Sequence, residues 1–487
     1  MKVFKIISIF LILTSLFSCE SFLEEKDPNQ ITNATFWKNS DELEQGLTAT
    51  YSALKQAFLW NSQGFKNMNS RGDDIVARIQ NAQIYKPDLF LNDPSNTFAR
   101  DMWKNAYILI YRANQVIDNS VAIEMDEKRK QEVVLEAKFL RGLAYFVLAQ
   151  NFKEAPLVLS SVPETRFPAK ATEDELWGQI ISDFKEASLL PASYAPNLAG
   201  HATKWSALSY LAKSYLYREQ WQLAATELKG IIDSGQFALM PDVYDNWNSE
   251  KENNQESIFE IQYMYSTASN QVNDGDIHFA PAVVGGFYVL TPSEWIFREF
   301  QKEKTVDGDF DLRMYATFIW NYPGAEIYQE PFTKIFANAP NTVTWKKFQL
   351  WDKSLAEASL HRSEINERVM RYSHVLLMYA ETQAELGNLP LSIKAINEIR
   401  NRANLSSLVE GSMNQNEILK EIMHQRALEF HLEGERWYDI VRWGIGKEVF
   451  TNNLKRPDYM EKFNYFPIPQ EELDANKNLT QNVEWKQ

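Results

Sequence analysis

Cysteine is nearly missing from this chain: Cys19 is the only one in 487 residues. No disulfide can therefore close within one molecule, even in an oxidising compartment. Histidine is scarce as well, at 6. The closest pair, His424 and His431, stands about two helical turns apart, more than one metal ion readily bridges, and no His-Glu-x-x-His helix occurs. A Gly-x-Ser-x-Gly elbow and a glycine-rich phosphate loop are both absent, which leaves no serine-hydrolase or nucleotide-binding signal. Positive charge is in deficit. Lysine and arginine number 50 against 65 acidic residues, a formal net charge of −15, and without basic clusters no nucleic-acid partner is expected. No Gly/Ser- or Pro-rich linker divides the chain, so one large domain is expected despite its length.

What is present begins at the N-terminus. Lys2 and Lys5, an apolar run from Ile6 to Leu13, and Leu16-Phe17-Ser18-Cys19 follow the charged, greasy, small-residue order of a secretory signal. The run falls short of the ~20 residues a membrane-spanning helix needs, so residues 1–18 are expected to be removed. Leu-Phe-Ser-Cys resembles the lipobox of bacterial lipoproteins, which would make Cys19 the acylated first residue of a tether over 19–40. Glu20, Glu24, Glu25 and Asp27 behind it resemble the signal that sends some lipoproteins to the outer cell surface.

Apolar residues three and four apart predict helices over 41–58, 103–119 and 132–152, the last apolar round most of its circumference. Thr172 and Glu175 form a capping-box pattern opening a helix that runs to about Leu190, before Pro191. Residues 202–234 fit the large, small and aromatic positions of a tetratricopeptide helix pair, and 376–399 fit it more weakly. Between them, 237–363 has another texture. Phe259, Ile261, Tyr263 and Tyr265 alternate with other residues at a strand's period of two, amid Gly285-Gly286, Pro292, Pro323 and Pro331. A mainly α fold follows, a helix-pair scaffold over about 41–236 and 364–450 with a loop-rich, partly β insertion at 237–363 and a tail at 451–487.

These residues carry a family resemblance. The block from Arg426 to Gly444 (RALEFHLEGERWYDIVRWG) looks like the C-terminal signature of the SusD/RagB family of outer-membrane nutrient-uptake lipoproteins. Further similar stretches are Glu136 to Arg141 (EAKFLR), Tyr379 to Gly387 (YAETQAELG), Ile396 to Ala403 (INEIRNRA), Tyr465 to Gln470 (YFPIPQ) and Asn478 to Asn482 (NLTQN). The resemblance implies four tetratricopeptide-like helix pairs, here at about 41–119, 132–190, 203–234 and 371–403. It also implies a SusC-like TonB-dependent outer-membrane transporter as partner, and an oligosaccharide or, in some members, a peptide as ligand. No cofactor is implied. In the signature block the charged residues are spaced for ion pairs along helix faces, and Trp437, Tyr438, Ile440, Val441 and Trp443 are expected to pack inward.

Two carboxylates alone suffice for a glycosidase, which keeps Asp73-Asp74 and Asp307 to Asp311 as an alternative, although no enzyme is expected. The second run begins like a calcium loop, but Leu312 and Phe318 stand where glycine and glutamate belong. For sugar binding, aromatic rings and polar partners on loops are the useful chemistry. One candidate region gives Trp60, Asn69, Arg71, Asp73, Asp74 and Tyr85. The other gives Tyr265, Asp276, Phe287, Tyr288 and Trp320.

Overall fold

The computed structural model describes residues 36–55, 59–60, 68–78, 82–264, 272–273, 275–358 and 363–486; Cys19 and Tyr265 lie outside them. The helical half is built from α1 (Ser40–Leu54), α2 (Thr97–Ser120), α3 (Glu127–Phe152), α4 (Glu173–Ala187), α5 (Lys204–Tyr217) and α6 (Trp221–Asp233). After a long excursion come α7 (Tyr372–Glu385), α8 (Leu389–Arg402), α9 (Gln415–Glu429), α10 (Arg436–Trp443) and α11 (Gly446–Asn453). Helices pack as α1 with α2, α3 with α4, α5 with α6 and α7 with α8, and each pair stacks on the next. This is the tetratricopeptide-like scaffold expected from the sequence.

The deep helix α3 owes its place to its all-round apolar sequence. Phe139 and Phe146 are buried, and their rings meet Phe184 of α4 and Tyr210 of α5 at centroid distances of 5.5–6.4 Å. Each such phenylalanine contributes about 1.5–3 kcal/mol by leaving water. The capping box at α4 is present, with Glu175 N–H donating to Thr172 Oγ1 (3.3 Å) and Thr172 N–H to the Glu175 carboxylate (2.8 Å). The helix stops at Ala187 rather than Leu190; Ser188 N–H makes the last helical bond, to Phe184 O, and the N–H groups of Leu189 and Leu190 close tighter turns on Glu186 and Ala187.

Six short strands frame the excursion: β1 (Ile75–Ala77), β2 (Ser257–Ile261), β3 (Leu290–Pro292), β4 (Phe318–Ile319), β5 (Thr344–Trp345) and β6 (Glu367–Arg371). They pair antiparallel as β1 with β3, β2 with β6 and β4 with β5. The expected alternation in β2 is not a solvated-face pattern. Phe259 packs edge-on to Phe139 (5.1 Å), while Glu260 on the other face is buried against Arg368 (3.1 Å), so the strand is covered on both sides. The β2–β6 ladder spans the insertion's exit and return, and so lets α7 stack on α6 although 138 residues separate them.

Candidate ligand-binding face

The β1–β3 ladder decides which loop residues meet. Its register pairs Ile75 with Pro292 and Ala77 with Leu290. Just beyond it Arg78 N–H donates to Val289 O (2.9 Å), and the guanidinium lies 5.1 Å from the Tyr288 ring centroid. Gly285 takes φ +92°, and a Cβ on Gly286 would fall 2.0 Å from the Ala280 carbonyl oxygen, so only glycine lets the chain turn back this tightly. That turn delivers Phe287, 56% exposed, beside the His278 ring (5.1 Å), and Tyr288 in the left-handed region at φ +47°. A left-handed tyrosine costs about 1–3 kcal/mol and is held by its surroundings. Here the phenol donates to Val343 O (3.2 Å), and burial raises its pKa.

A second ladder brings more rings to the neighbourhood. Phe318 faces Trp345 and Ile319 faces Thr344; Trp320 follows the first of these strands, and Val343, which accepts from Tyr288, precedes the second. Half-buried Trp320 gathers Tyr322 (4.6 Å), Tyr315 (5.1 Å), Phe297 (5.7 Å) and Phe310 (6.3 Å) around it. Arg78, Tyr315, Tyr322, Phe297 and Phe310 escaped the sequence reading. Arg78 had a signal, since it follows the apolar Ile75-Val76-Ala77 run in a loop already singled out.

Several expected ligand contacts are corrected by their burial. Asp73 is bound by the guanidinium of Arg436 (2.6 Å) and by Asn453 (2.6 Å), and Asp74 accepts from His431 (2.8 Å). Arg71 lies between the Trp437 and Phe466 rings (4.1 and 4.2 Å) and donates to Asn151 and to the carbonyls of Phe463 and Asn464. Burial brings its pKa down to about 9, so it stays charged at neutral pH. Asn69 accepts from Gly434 N–H (2.9 Å). Trp60 is buried with its carbonyl taken by the Tyr263 phenol (3.0 Å), and Asp276, buried too, accepts from Gln349 through its own carbonyl (2.9 Å). These groups hold the loops to the scaffold, and the one carboxylate oxygen among them without a hydrogen-bond partner among the described residues, Asp74 Oδ1, is buried. Tyr85, half-buried in the short helix Ala82–Asp88 beside β1, keeps some exposed surface.

The acidic turn is likewise occupied: Asp311 pairs with Arg313 (2.6 Å) and Asp307 accepts from Asn404 (2.7 Å). The signature block builds scaffold, but its ion pairs mostly cross between elements. Arg371 at the end of β6 binds Glu256 (2.6 Å), Glu429 (2.5 Å) and Glu433 (2.8 Å), and Arg426 binds Asp439 (2.7 Å). Trp437, Tyr438 and Ile440 pack inward as expected, whereas Val441 and Trp443 are only half-buried.

Comparison with known proteins gives a consistent result. Residues 255–485 match a family model described as the SusD family, and residues 21–216 match one described as starch-binding, associating with outer membrane. The fold superimposes on a SusD superfamily protein from Bacteroides vulgatus with TM-score 0.85 and 33% identity, over 93% of this chain and 100% of that one. A SusD-like protein, P2, of Formosa agariphila is 27% identical over 99% of both chains. The starch-binding protein SusD of Bacteroides thetaiotaomicron is 28% identical over 161 residues, 31% of this chain and 27% of its own.

Proposed function

This chain belongs to the SusD family, and from that membership we propose that it is a non-catalytic surface lipoprotein that captures oligosaccharides and hands them to a SusC-like TonB-dependent transporter. The anchor in this reading is an acylated Cys19, exposed once residues 1–18 are removed, with 19–40 as a tether to the domain over 41–487. Acyl chains contribute about 0.8 kcal/mol per buried methylene, and more than one is needed for a stable hold. Among the described residues no helix is long and apolar enough to cross a membrane.

The observation that carries the ligand reading is the pair of short ladders that sets Phe287 and Tyr288 beside Arg78 and fixes the Tyr288 phenol on Val343, next to the strand that faces the one leading into Trp320. A sugar ring offers a C–H face that packs on an aromatic ring and hydroxyls that need charged or amide partners, and this face supplies both. The starch-binding description of the matching family model and of the Bacteroides thetaiotaomicron relative supports the same class of cargo.

Titration calorimetry of the detergent-solubilised full chain against a panel of neutral oligosaccharides tests this. One class of glycan is expected to bind, with no reducing ends released. Tyr288→Ala and Trp320→Ala are each expected to weaken it about tenfold, about 1.4 kcal/mol. Binding that ignores both substitutions would move the site elsewhere, and cleavage of the glycan would make the protein an enzyme.

A further inference from the structure

A different cleft, of about 430 Å³, opens within the helical scaffold, where the ends of helices from three neighbouring pairs meet α10. Its walls are aromatic. Trp177 of α4 and Tyr217 at the end of α5 lie 5.5 Å apart at 32°, Trp221 opens α6, and Trp443 closes α10. Its charge is unbalanced. Four glutamates and one arginine line it, and that arginine, Arg442, is already bound to Glu381 and Asp439 while its guanidinium stacks 4.3 Å from the Trp443 ring. Trp443 adds its indole N–H to Glu381 (2.8 Å), and Glu173 is held by Arg218 (3.0 Å). Glu219 and Glu385 form no ion pair among the described residues. Burial first, then the Glu381 and Glu219 carboxylates, raise the pKa of Glu385, as expected where a counter-charge is missing.

Rings beside two unpaired carboxylates favour one kind of guest. A neutral glycan would gain no charge pairing from exposed Glu219 or half-buried Glu385, whereas a weakly hydrated cation on a carbon stem satisfies charge and rings together; cation–π contacts contribute about 0.5–2 kcal/mol each. We propose that this cleft binds an organic cation on an apolar stem, an alkylguanidinium or alkylammonium group. Its charge lies against Glu219 and Glu385, and its stem lies against Trp177, Trp221 and Trp443. The site shares no residue with the face around Tyr288, so either can fail while the other stands.

Butylguanidinium and its neutral isostere butylurea provide the test, read by calorimetry and by quenching of tryptophan fluorescence in the detergent-solubilised full chain. Butylguanidinium is expected to bind at least about tenfold more tightly than butylurea, with the gap narrowing as salt is raised. The near-isosteric double variant Glu219→Gln/Glu385→Gln is expected to remove that preference while leaving glycan binding intact. Equal binding of the two probes, no binding at about 10 mM, or a preference untouched by the double variant would overturn the proposal. The first two comparisons use only the unmodified chain and stand even if the variant misfolds. Comparing N-acetylarginine amide with N-acetylcitrulline amide, and glucosamine with N-acetylglucosamine, distinguishes a peptide-borne cation from an amino sugar; selectivity confined to the free alkyl cation identifies a small amine.

Discussion

Arg371 is fully buried and faces three carboxylates, Glu256 from before β2 and Glu429 and Glu433 from the end of α9 and the turn after it. Replacing it by methionine keeps the volume but strands buried negative charge, a change that typically costs about 3–5 kcal/mol. Equilibrium urea unfolding of Arg371→Met should read that loss. His431 makes a pH-dependent contribution. Its Nε2 accepts from the Trp345 indole (3.0 Å), so Nδ1 carries the proton donated to Asp74 (2.8 Å) and the ring is neutral. Burial lowers its pKa more than Asp74 raises it. Its stabilising contribution is therefore complete above the unfolded-state pKa of about 6.5 and is lost as pH falls below it, with a slope of about 1.4 kcal/mol per pH unit. His431→Gln should flatten the stability curve by up to that slope, measured by urea unfolding at a series of pH values. These residues also mark what the sequence hides. Asp73 and Asp74 read as an acidic pair open to a ligand because their partners, the Arg436 guanidinium and the His431 ring, lie more than 350 positions away. Phe287 and Tyr288, beside a glycine pair that forces a turn, were legible from local chemistry alone.

At the scale of elements, local signals fared best where the helix itself sets the rule. The Thr172–Glu175 box is satisfied at both of its bonds, and Thr172→Ala should cost about 1 kcal/mol, read as a lowered melting temperature. The long apolar faces of α1 to α3 gave those helices away within a few residues of their ends. Strands fared worse. The period-two spacing suggested a strand running from Phe259 to Tyr265, but the ladder stops at Ile261, and Glu260 beside it is sealed by an arginine from β6. With three or fewer residues each, β1, β3, β4 and β5 carry too little periodicity to announce themselves. The nearness of Tyr288 to Arg78 and to Val343 depends on those ladders, which is why these rings appeared in the sequence only as scattered residues.

For the whole molecule, the order of four helix pairs was legible because each pair repeats one pattern, although the third and fourth are far apart in the chain. Attachment to the membrane belongs to this scale as well. Cys19→Ala should leave the melting temperature unchanged and move the protein from the membrane pellet to the soluble fraction, as followed by fractionation and immunoblotting. Retention in the pellet in cells lacking the partner transporter would argue against an acyl anchor. The β2–β6 ladder has a consequence of another kind. Because departure and return share one two-stranded clasp, the gap that the scaffold must close is set at Ile261 and Glu367, whatever length of chain runs between them. The long excursion thus leaves and rejoins the stack at a single fastening, so that the helices before and after it meet as if they were consecutive.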